Sequence, residues 1–323
     1  MEIKKCIGCG SLLQTSNKDN IGYIPLNKYE NSYYCQRCFQ LIHYNKKGLS
    51  DTLVDDNKII DIVNDSKTYA FFLIDLFNIN EETINTYKKI NINKSLVISK
   101  CDLIINDLSI DKIKDNIKSI YGIDDNIIFL SSTKNKNINL IFRELDRNNK
   151  KNCYILGYTN AGKSTLINTL KEDSKITTSN LLNTTLDFIE MDINGYRIID
   201  TPGFSYHNTI YEKDDYDLIK RINTKYFVRP ITYQSKLDQI FKIEDKLFLK
   251  DFNYNSITFY MSNLIKIKKV YKDCDINYKE IKIDDNTDIV ISSLGFINVK
   301  KKCIFKVNSK YYDLISIRKS IIK

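Results

Sequence analysis

The sequence has no tryptophan, three prolines, two histidines and ten glycines in 323 residues. It also has no apolar run long enough to cross a bilayer, which excludes a helical membrane protein. The opening residues Met1-Glu2-Ile3-Lys4-Lys5-Cys6 carry no signal-peptide core, so a cytoplasmic protein is expected. With so little proline and glycine there is no flexible linker, and no internal repeat is visible. What is present is 42% apolar and 28% charged residues. That balance is typical of a soluble globular protein, in a chain long enough for two or three domains.

Charge is unevenly spread. The net charge of +9 resolves into +4 over residues 1–48, −3 over 49–210 and +8 over 211–323. A uniform lysine bias from an AT-rich genome would not leave an acidic middle between basic ends. Basic ends suit contact with a polyanion; a solvated lysine-rich surface is the plain alternative. Three regions follow: 1–48, 49–210 and 211–323.

The eight cysteines fall into two groups. Cys6, Cys9, Cys35 and Cys38 form two C-x-x-C pairs enclosing 25 residues, a spacing suited to one tetrahedral zinc with four thiolate ligands. Cys101, Cys153, Cys274 and Cys303 are scattered and read as ordinary buried thiols. His43, close by, is superfluous once four cysteines are present. The middle region alternates short apolar runs with polar, helix-like stretches, as in a parallel sheet with crossover helices. Its strand candidates are Tyr69–Asp75, Ser95–Ser99, Ile127–Ser131, Cys153–Leu156, Leu186–Ile193 and Tyr196–Asp200. Asp214–Thr224 could form a short helix. Beyond it, runs such as Ile257–Met261, Asp288–Ile291, Phe296–Val299 and Cys303–Val307 point to an antiparallel β-rich domain. There Lys266-Ile267-Lys268-Lys269, Lys300-Lys301-Lys302 and Lys310-Tyr311-Tyr312 set charge beside aromatics, a combination suited to RNA.

Gly157-Tyr158-Thr159-Asn160-Ala161-Gly162-Lys163-Ser164 fits the phosphate-loop template in full. Its glycines let backbone N–H groups turn toward a β-phosphate, and the helix that follows, from Ser164 and Thr165, points its positive end at the anion. Lys163 would bridge the β- and γ-phosphates and Ser164 would ligate Mg²⁺. Asp200-Thr201-Pro202-Gly203 closes a strand downstream. Its Asp200 would hold Mg²⁺ through water, and the Gly203 N–H can meet the γ-phosphate. Between them, Thr185, with Thr184 as second choice, would reach Mg²⁺ only while the γ-phosphate is present and so act as a switch.

The base-reading parts precede the phosphate loop. Ser99-Lys100-Cys101-Asp102 stands where GTPases carry N-K-x-D. Asp102 would accept both hydrogens of guanine N1 and N2, and the Lys100 stem would lie over the base or sugar and brace the phosphate loop. Ser131-Ser132-Thr133-Lys134 resembles the S-A-K motif, whose backbone meets guanine O6. The motif order is therefore G4-G5-G1-G2-G3, an α/β P-loop GTPase domain in circularly permuted form.

In these features the chain resembles the YqeH-type circularly permuted GTPases, bacterial ribosome-assembly factors with an N-terminal zinc finger and a C-terminal nucleic-acid-binding domain. The matching segments are Cys6–Gly10, Gly22–Pro25, Tyr34–Asn45, Gly157–Asn168, Thr177–Ser179, Thr184–Glu190, Asp200–Gly203 and Asp288–Val299. The resemblance implies a cytoplasmic, monomeric, GTP-hydrolysing factor for the small ribosomal subunit or its precursor, binding rRNA without a membrane. GTP, Mg²⁺ and Zn²⁺ are its expected cofactors. The family's base-motif Asn is Ser99 here, which loses an amide contact to guanine. Its Pro-Gly before the threonines is Leu182-Asn183, and its tryptophan near the end is Phe296. Phe204 occupies the place of the water-positioning Gln of Ras-like enzymes, so slow turnover is expected. Related GTPases use an Asn at the position of Asn160 to bind K⁺, which adds K⁺ to the expected cofactors. Lys163, Asn160, Thr185 and Gly203 are thus the expected catalytic set. A nucleotide-gated RNA-binding module with little turnover is the alternative, and His207 reads as an exposed loop residue rather than a base.

Overall fold

The computed structural model describes residues 4, 12–18, 20, 22–30, 32, 34–36, 55–103, 109–172, 176–177, 188–211, 215–223, 227–271 and 276–322. The chain divides into two compact units, Met1–Val54 and Asp55–Lys323. In the first, the Ile24 N–H donates to Gln14 O at 2.9 Å and the Gln36 N–H donates to Tyr23 O at 2.7 Å. These bonds gather Leu13, Ile24 and Cys35 into a small buried cluster, with Tyr29 and Tyr34 against it. Cys6, Cys9, Cys38 and His43 lie outside the described residues.

The second unit opens with helix α1 (Asp56–Asp65), whose first turn is capped by the Asp55 carboxylate. Strand β1 (Tyr69–Asp75) is buried at every position, as a strand covered on both faces must be. A 3-10 turn at Leu76–Asn78 leads to α2 (Glu81–Lys88), closed at its start by a capping box between Asn80 and Thr83. Next come β2 (Lys94–Ser99), a 3-10 turn at Cys101–Leu103, and α3 (Ile110–Tyr121), which ends on Gly122 at φ +60°. Then follow β3 (Asn126–Phe129), α4 (Leu140–Arg147), β4 (Asn152–Gly157) and α5 (Lys163–Glu172). The short β5 (Ile176–Thr177), β6 (Ile189–Ile193) and β7 (Tyr196–Asp200) complete a seven-stranded sheet in the order β3-β2-β1-β4-β7-β6-β5.

Strands β3, β2, β1, β4 and β7 run parallel. Strand β6 departs from the all-parallel expectation and runs antiparallel to β7. The cause is local. Asn194 and Gly195, at φ +56° and +78°, form the two-residue turn that joins antiparallel strands. The strand expected to reach Ser131 ends at Phe129, and Ser131 instead exchanges backbone hydrogen bonds of 3.0 and 2.9 Å with Lys136.

Helix α6 (Tyr216–Ile222) leads into two antiparallel sheets. Their strands in chain order are β8 (Ile231–Gln234), β9 (Ile240–Ile243), β10 (Leu247–Lys250), β11 (Ser256–Met261), β12 (Ile267–Val270), β13 (Tyr278–Ile283), β14 (Thr287–Ile291), β15 (Gly295–Val299), β16 (Cys303–Asn308) and β17 (Ile315–Lys319). One sheet is ordered β12-β9-β10-β16-β13 and the other β17-β14-β15-β11-β8. Apolar positions alternate along β11, and its inward residues Ile257, Phe259 and Met261 join Phe241, Phe252 and Phe305 in one core between the sheets. Each such side chain removed from water contributes about 1.5–3 kcal/mol. A polar clasp secures the β-rich part to the seven-stranded sheet: the Val228 N–H donates to Leu103 O at 2.7 Å, and Asn116 Nδ2 donates to Ile321 O at 3.1 Å.

Candidate functional site

The candidate residues stand on loops that leave the C-terminal ends of neighbouring parallel strands. Gly157 ends β4, Asp200 ends β7 and Ser99 ends β2. This edge is where open α/β sheets bind ligands, because the loops there are free to diverge.

The phosphate loop runs from Gly157 to the start of α5. Gly157 adopts φ +146°, and a Cβ there would run into Leu73 O of β1. Asn160 and Gly162 take φ values of +65° and +94°, left-handed turns of the kind that aim successive N–H groups into a common hollow. The Tyr158 side chain points the other way. Its hydroxyl lies 2.8 Å from Thr86 Oγ1, and its ring stacks on Tyr206 at 4.7 Å. The Lys163 ammonium donates to Gly157 O at 3.2 Å, folding the side chain back over the loop. Ser164 and Thr165 are exposed at the helix N-terminus.

Asp200 and Gly203 arrive beside this loop. The Phe204 N–H donates to Gly157 O at 3.1 Å and the Thr159 N–H donates to Phe204 O at 2.8 Å, so the two segments pair like a fragment of sheet. Gly203 is held close to Lys163, since a Cβ on it would lie 2.9 Å from Lys163 Nζ. Asp200 Oδ1 is buried without a hydrogen-bond partner among the described residues. Burial pushes its carboxyl up to about 6, against the pull of Lys163. A buried carboxylate oxygen without a partner among the described residues, held beside the phosphate-loop lysine, fits a hydrated divalent cation. Thr184 and Thr185 lie outside the described residues.

Phe204 is fully buried, stacked on Phe72 at 5.5 Å with ring planes 17° apart. The position that carries a water-orienting side chain in Ras-like enzymes therefore serves here as an apolar anchor. His207 is exposed, with Nδ1 2.6 Å from Glu82 Oε1 of α2; the same carboxylate also accepts the His207 N–H at 3.1 Å.

Beyond the end of β2, Asp102, expected to read guanine, sits on the 3-10 turn, and its Oδ2 accepts from Thr133 Oγ1 at 3.0 Å. That bond ties the first base motif to Ser131-Ser132-Thr133. Thr169 of α5 donates to Ser132 O at 3.2 Å. Lys100, at φ +61°, pairs with Asp75 at 3.3 Å and lines a cavity with Thr159, Asn160 and Tyr206. Sequence reasoning placed Ser99 in the base motif without its structural role, and missed Asp75. Ser99, 3% exposed, does not present its hydroxyl to a base: Oγ donates to Ala161 O at 2.6 Å and braces the phosphate loop. Asp75 anchors Lys100, and its one trace in the sequence is a carboxylate ending the apolar run YAFFLID.

Among the described residues no cluster of three or more His, Cys, Asp or Glu could hold a metal, and no helix is long and apolar enough to cross a membrane.

A family profile described as "50S ribosome-binding GTPase" matches residues 152–263. The "Uncharacterized protein YqeH" of Bacillus subtilis is 29% identical over 252 residues, covering 72% of this chain and 68% of that protein. The "tRNA modification GTPase MnmE" of Mycoplasma genitalium is 32% identical over 161 residues, and the "GTPase Der" of Karelsulcia muelleri is 29% identical over 178. These two matches cover 43% and 53% of this chain, and 36% of each relative. Among solved structures, YjeQ from Thermotoga maritima is 22% identical over 43% of this chain and 49% of its own, with a TM-score of 0.31. That likeness is too slight to carry an argument.

Proposed function

We propose that the chain, which is similar to YqeH and matches a GTPase family profile, is a P-loop GTPase of the YqeH type and a ribosome assembly factor acting on the small ribosomal subunit or its precursor. It hydrolyses GTP by in-line attack of water on the γ-phosphate, and its GTP and GDP states differ in affinity for rRNA. The observation that carries the reading is the convergence of Lys163, Gly203, Asp200 and the Asp102–Thr133 pair on one edge of the sheet. In their proposed roles, Lys163 and the loop N–H groups hold the phosphates, Asp102 reads guanine, and the Gly203 N–H senses the γ-phosphate. Ser164, Asp200 and Thr185 would hold Mg²⁺, which neutralises phosphate charge when bound. Asn160 would support K⁺, and Cys6, Cys9, Cys35 and Cys38 would hold Zn²⁺ in a finger over residues 1–48.

The motif order along the chain makes residues 49–210 a circularly permuted GTPase domain. Its γ-phosphate segment then leads directly into the basic β-rich domain of residues 211–323. That connection gives nucleotide state a short route to RNA affinity. Cytoplasmic, monomeric action belongs to the same reading.

A second reading, a nucleotide-gated RNA-binding module with little turnover, is favoured by the burial of Phe204. The first test is sedimentation of wild type and Lys163→Ala with ribosomal subunits in GTP and in GDP. Nucleotide-dependent co-sedimentation with the small subunit, lost in Lys163→Ala, is expected; no co-sedimentation in either state refutes the assembly role. Single-turnover hydrolysis on pre-ribosomal particles separates the two readings, since tight binding without phosphate release supports the second. Equal rates in Na⁺ and K⁺ buffers would remove the K⁺ role.

A further inference from the structure

The segment Asp288–Val299 has no part in phosphate, base or metal chemistry, yet it carries the most buried ion pair among the described residues. Asp288 of β14 is fully buried and pairs with Arg318 of β17 through Nε at 3.2 Å. The carboxylate is otherwise satisfied: Asn298 Nδ2 donates to Oδ1 at 2.8 Å, and the Ile321 N–H donates to Oδ2 at 3.1 Å. The guanidinium lies over the Phe296 ring at 4.8 Å, and Phe296 stacks on Tyr260 at 4.7 Å. All of this serves to fix one further donor. Arg318 Nη1 reaches out of the β-rich part and donates to Ile79 O, beyond the end of β1.

Ile79 closes a short loop that begins at Asp75. Within it the Asp75 carboxylate accepts from the Phe77 N–H at 3.0 Å and from Asn78 Nδ2 at 3.0 and 3.1 Å. The same carboxylate holds Lys100 of the base motif. Lys100 and the loop residues Asp75, Phe77 and Asn78 line one cavity with Thr159 and Asn160 of the phosphate loop. Contacts therefore run from Asp288 through Arg318 to Ile79, along the covalent 75–79 loop that Asp75 ties together, and from Asp75 to Lys100. The planar guanidinium, with several donors in fixed directions, suits a bond to Asp288 and another to a carbonyl on a different element at once.

We propose that Arg318 is a positioning residue for the guanine-nucleotide site: clamped by Asp288, it fixes the 75–79 loop and thereby the place of Lys100. It touches no nucleotide itself. This wire differs from the γ-phosphate segment, since it enters on the base side and acts on affinity for GDP as well as GTP.

Arg318→Met alone leaves Asp288 buried and uncompensated, so the test uses Arg318→Met combined with Asp288→Asn in the full chain. Fluorescent GDP affinity is measured beside the nucleotide-free thermal midpoint, below the melting range. The expected result is binding weaker by at least about fivefold, the low end of measured site couplings. Asp75→Asn should weaken binding by itself, and its loss should not add to that of the double variant. A folded double variant that binds GDP within about twofold of wild type overturns the proposal. The wild type gives a second test that needs no substitution, because coupling between sites is reciprocal. Saturating GDP should slow hydrogen exchange at the Ile321 N–H more than at the Ser309 N–H, which bonds Asn277 O at 2.8 Å in the same β-rich part. Equal slowing at both overturns the proposal. The proposal rests on the nucleotide-binding reading, but the two fail differently. A wild type that binds no GDP refutes that reading, whereas unchanged affinity in the variant refutes the role of Arg318.

Discussion

At the scale of single residues, Asp200 shows how a binding site is set against stability. Its carboxyl belongs near 3.8 in an unfolded chain and is pushed up to about 6 by burial. A raised folded value means that the native state holds the proton more tightly. In metal-free protein its contribution is therefore fully present below about pH 4 and lost as pH rises through about 6. The loss is at most roughly 3 kcal/mol. Asp200→Asn has no such term. Denaturation of wild type and Asp200→Asn in chelator should give a difference that opens in favour of the variant between these pH values. A flat difference would sink the argument. Ser99 makes the opposite point, since its hydroxyl works inside the protein. Ser99→Ala strands Ala161 O and costs about 1 kcal/mol. Nucleotide affinity should fall with it through a looser phosphate loop, and titration with fluorescent GDP measures the effect.

At the scale of elements, two glycines in the same site are required for different reasons. Gly157 is pressed against Leu73 of the neighbouring strand, with Leu73 Cβ 3.0 Å from where a Cβ would sit, and its φ of +146° suits no other residue. Gly203 has no such backbone demand, and its would-be Cβ meets the flexible end of Lys163. Gly157→Ala should thus cost about 3 kcal/mol or more by forcing β4 from β1. Gly203→Ala should stay within about 1 kcal/mol of wild type and lose GTP hydrolysis instead. Urea melts and phosphate-release assays on the pair check both; loss of stability in Gly203→Ala would contradict the assignment. The same elements show what a sequence discloses. Strands β1 and β4 were legible because burial on both faces leaves an unbroken apolar run. The phosphate loop was legible because its backbone demands fix residue types at fixed spacing. The reversal of β6 follows from Asn194-Gly195, a turn signal present in the sequence but outweighed by the expectation of crossovers. The Ser99 brace and the Arg318 clamp could not be read. Their partners are 62 and 239 residues away in sequence, and neither contact leaves a local periodicity.

At the scale of the whole molecule, the decisive feature is that the seven-stranded sheet and the two five-stranded sheets form one compact unit, Asp55–Lys323, while Met1–Val54 forms another. The composition shift after residue 210 suggests a place to cut, but hydrogen bonds cross it. Arg318 reaches Ile79, Val228 reaches Leu103, and Asn116 reaches Ile321. Ending the chain at residue 211 would strip these partners from Ile79 and Leu103 and expose buried surface beside the loops that follow β1 and β2. A chain of residues 55–323 should therefore bind GDP about as well as the full chain. A chain of residues 1–211 should bind at least about tenfold more weakly or aggregate, as expected when a cooperative unit is divided. Fluorescent-nucleotide titration and analytical sedimentation of the two truncations make the comparison. If residues 1–211 stay monomeric and bind GDP like the full chain, the β-rich part is a passenger on the nucleotide site. If they fail while 55–323 succeeds, the β-rich sheets are part of what holds the nucleotide loops in place.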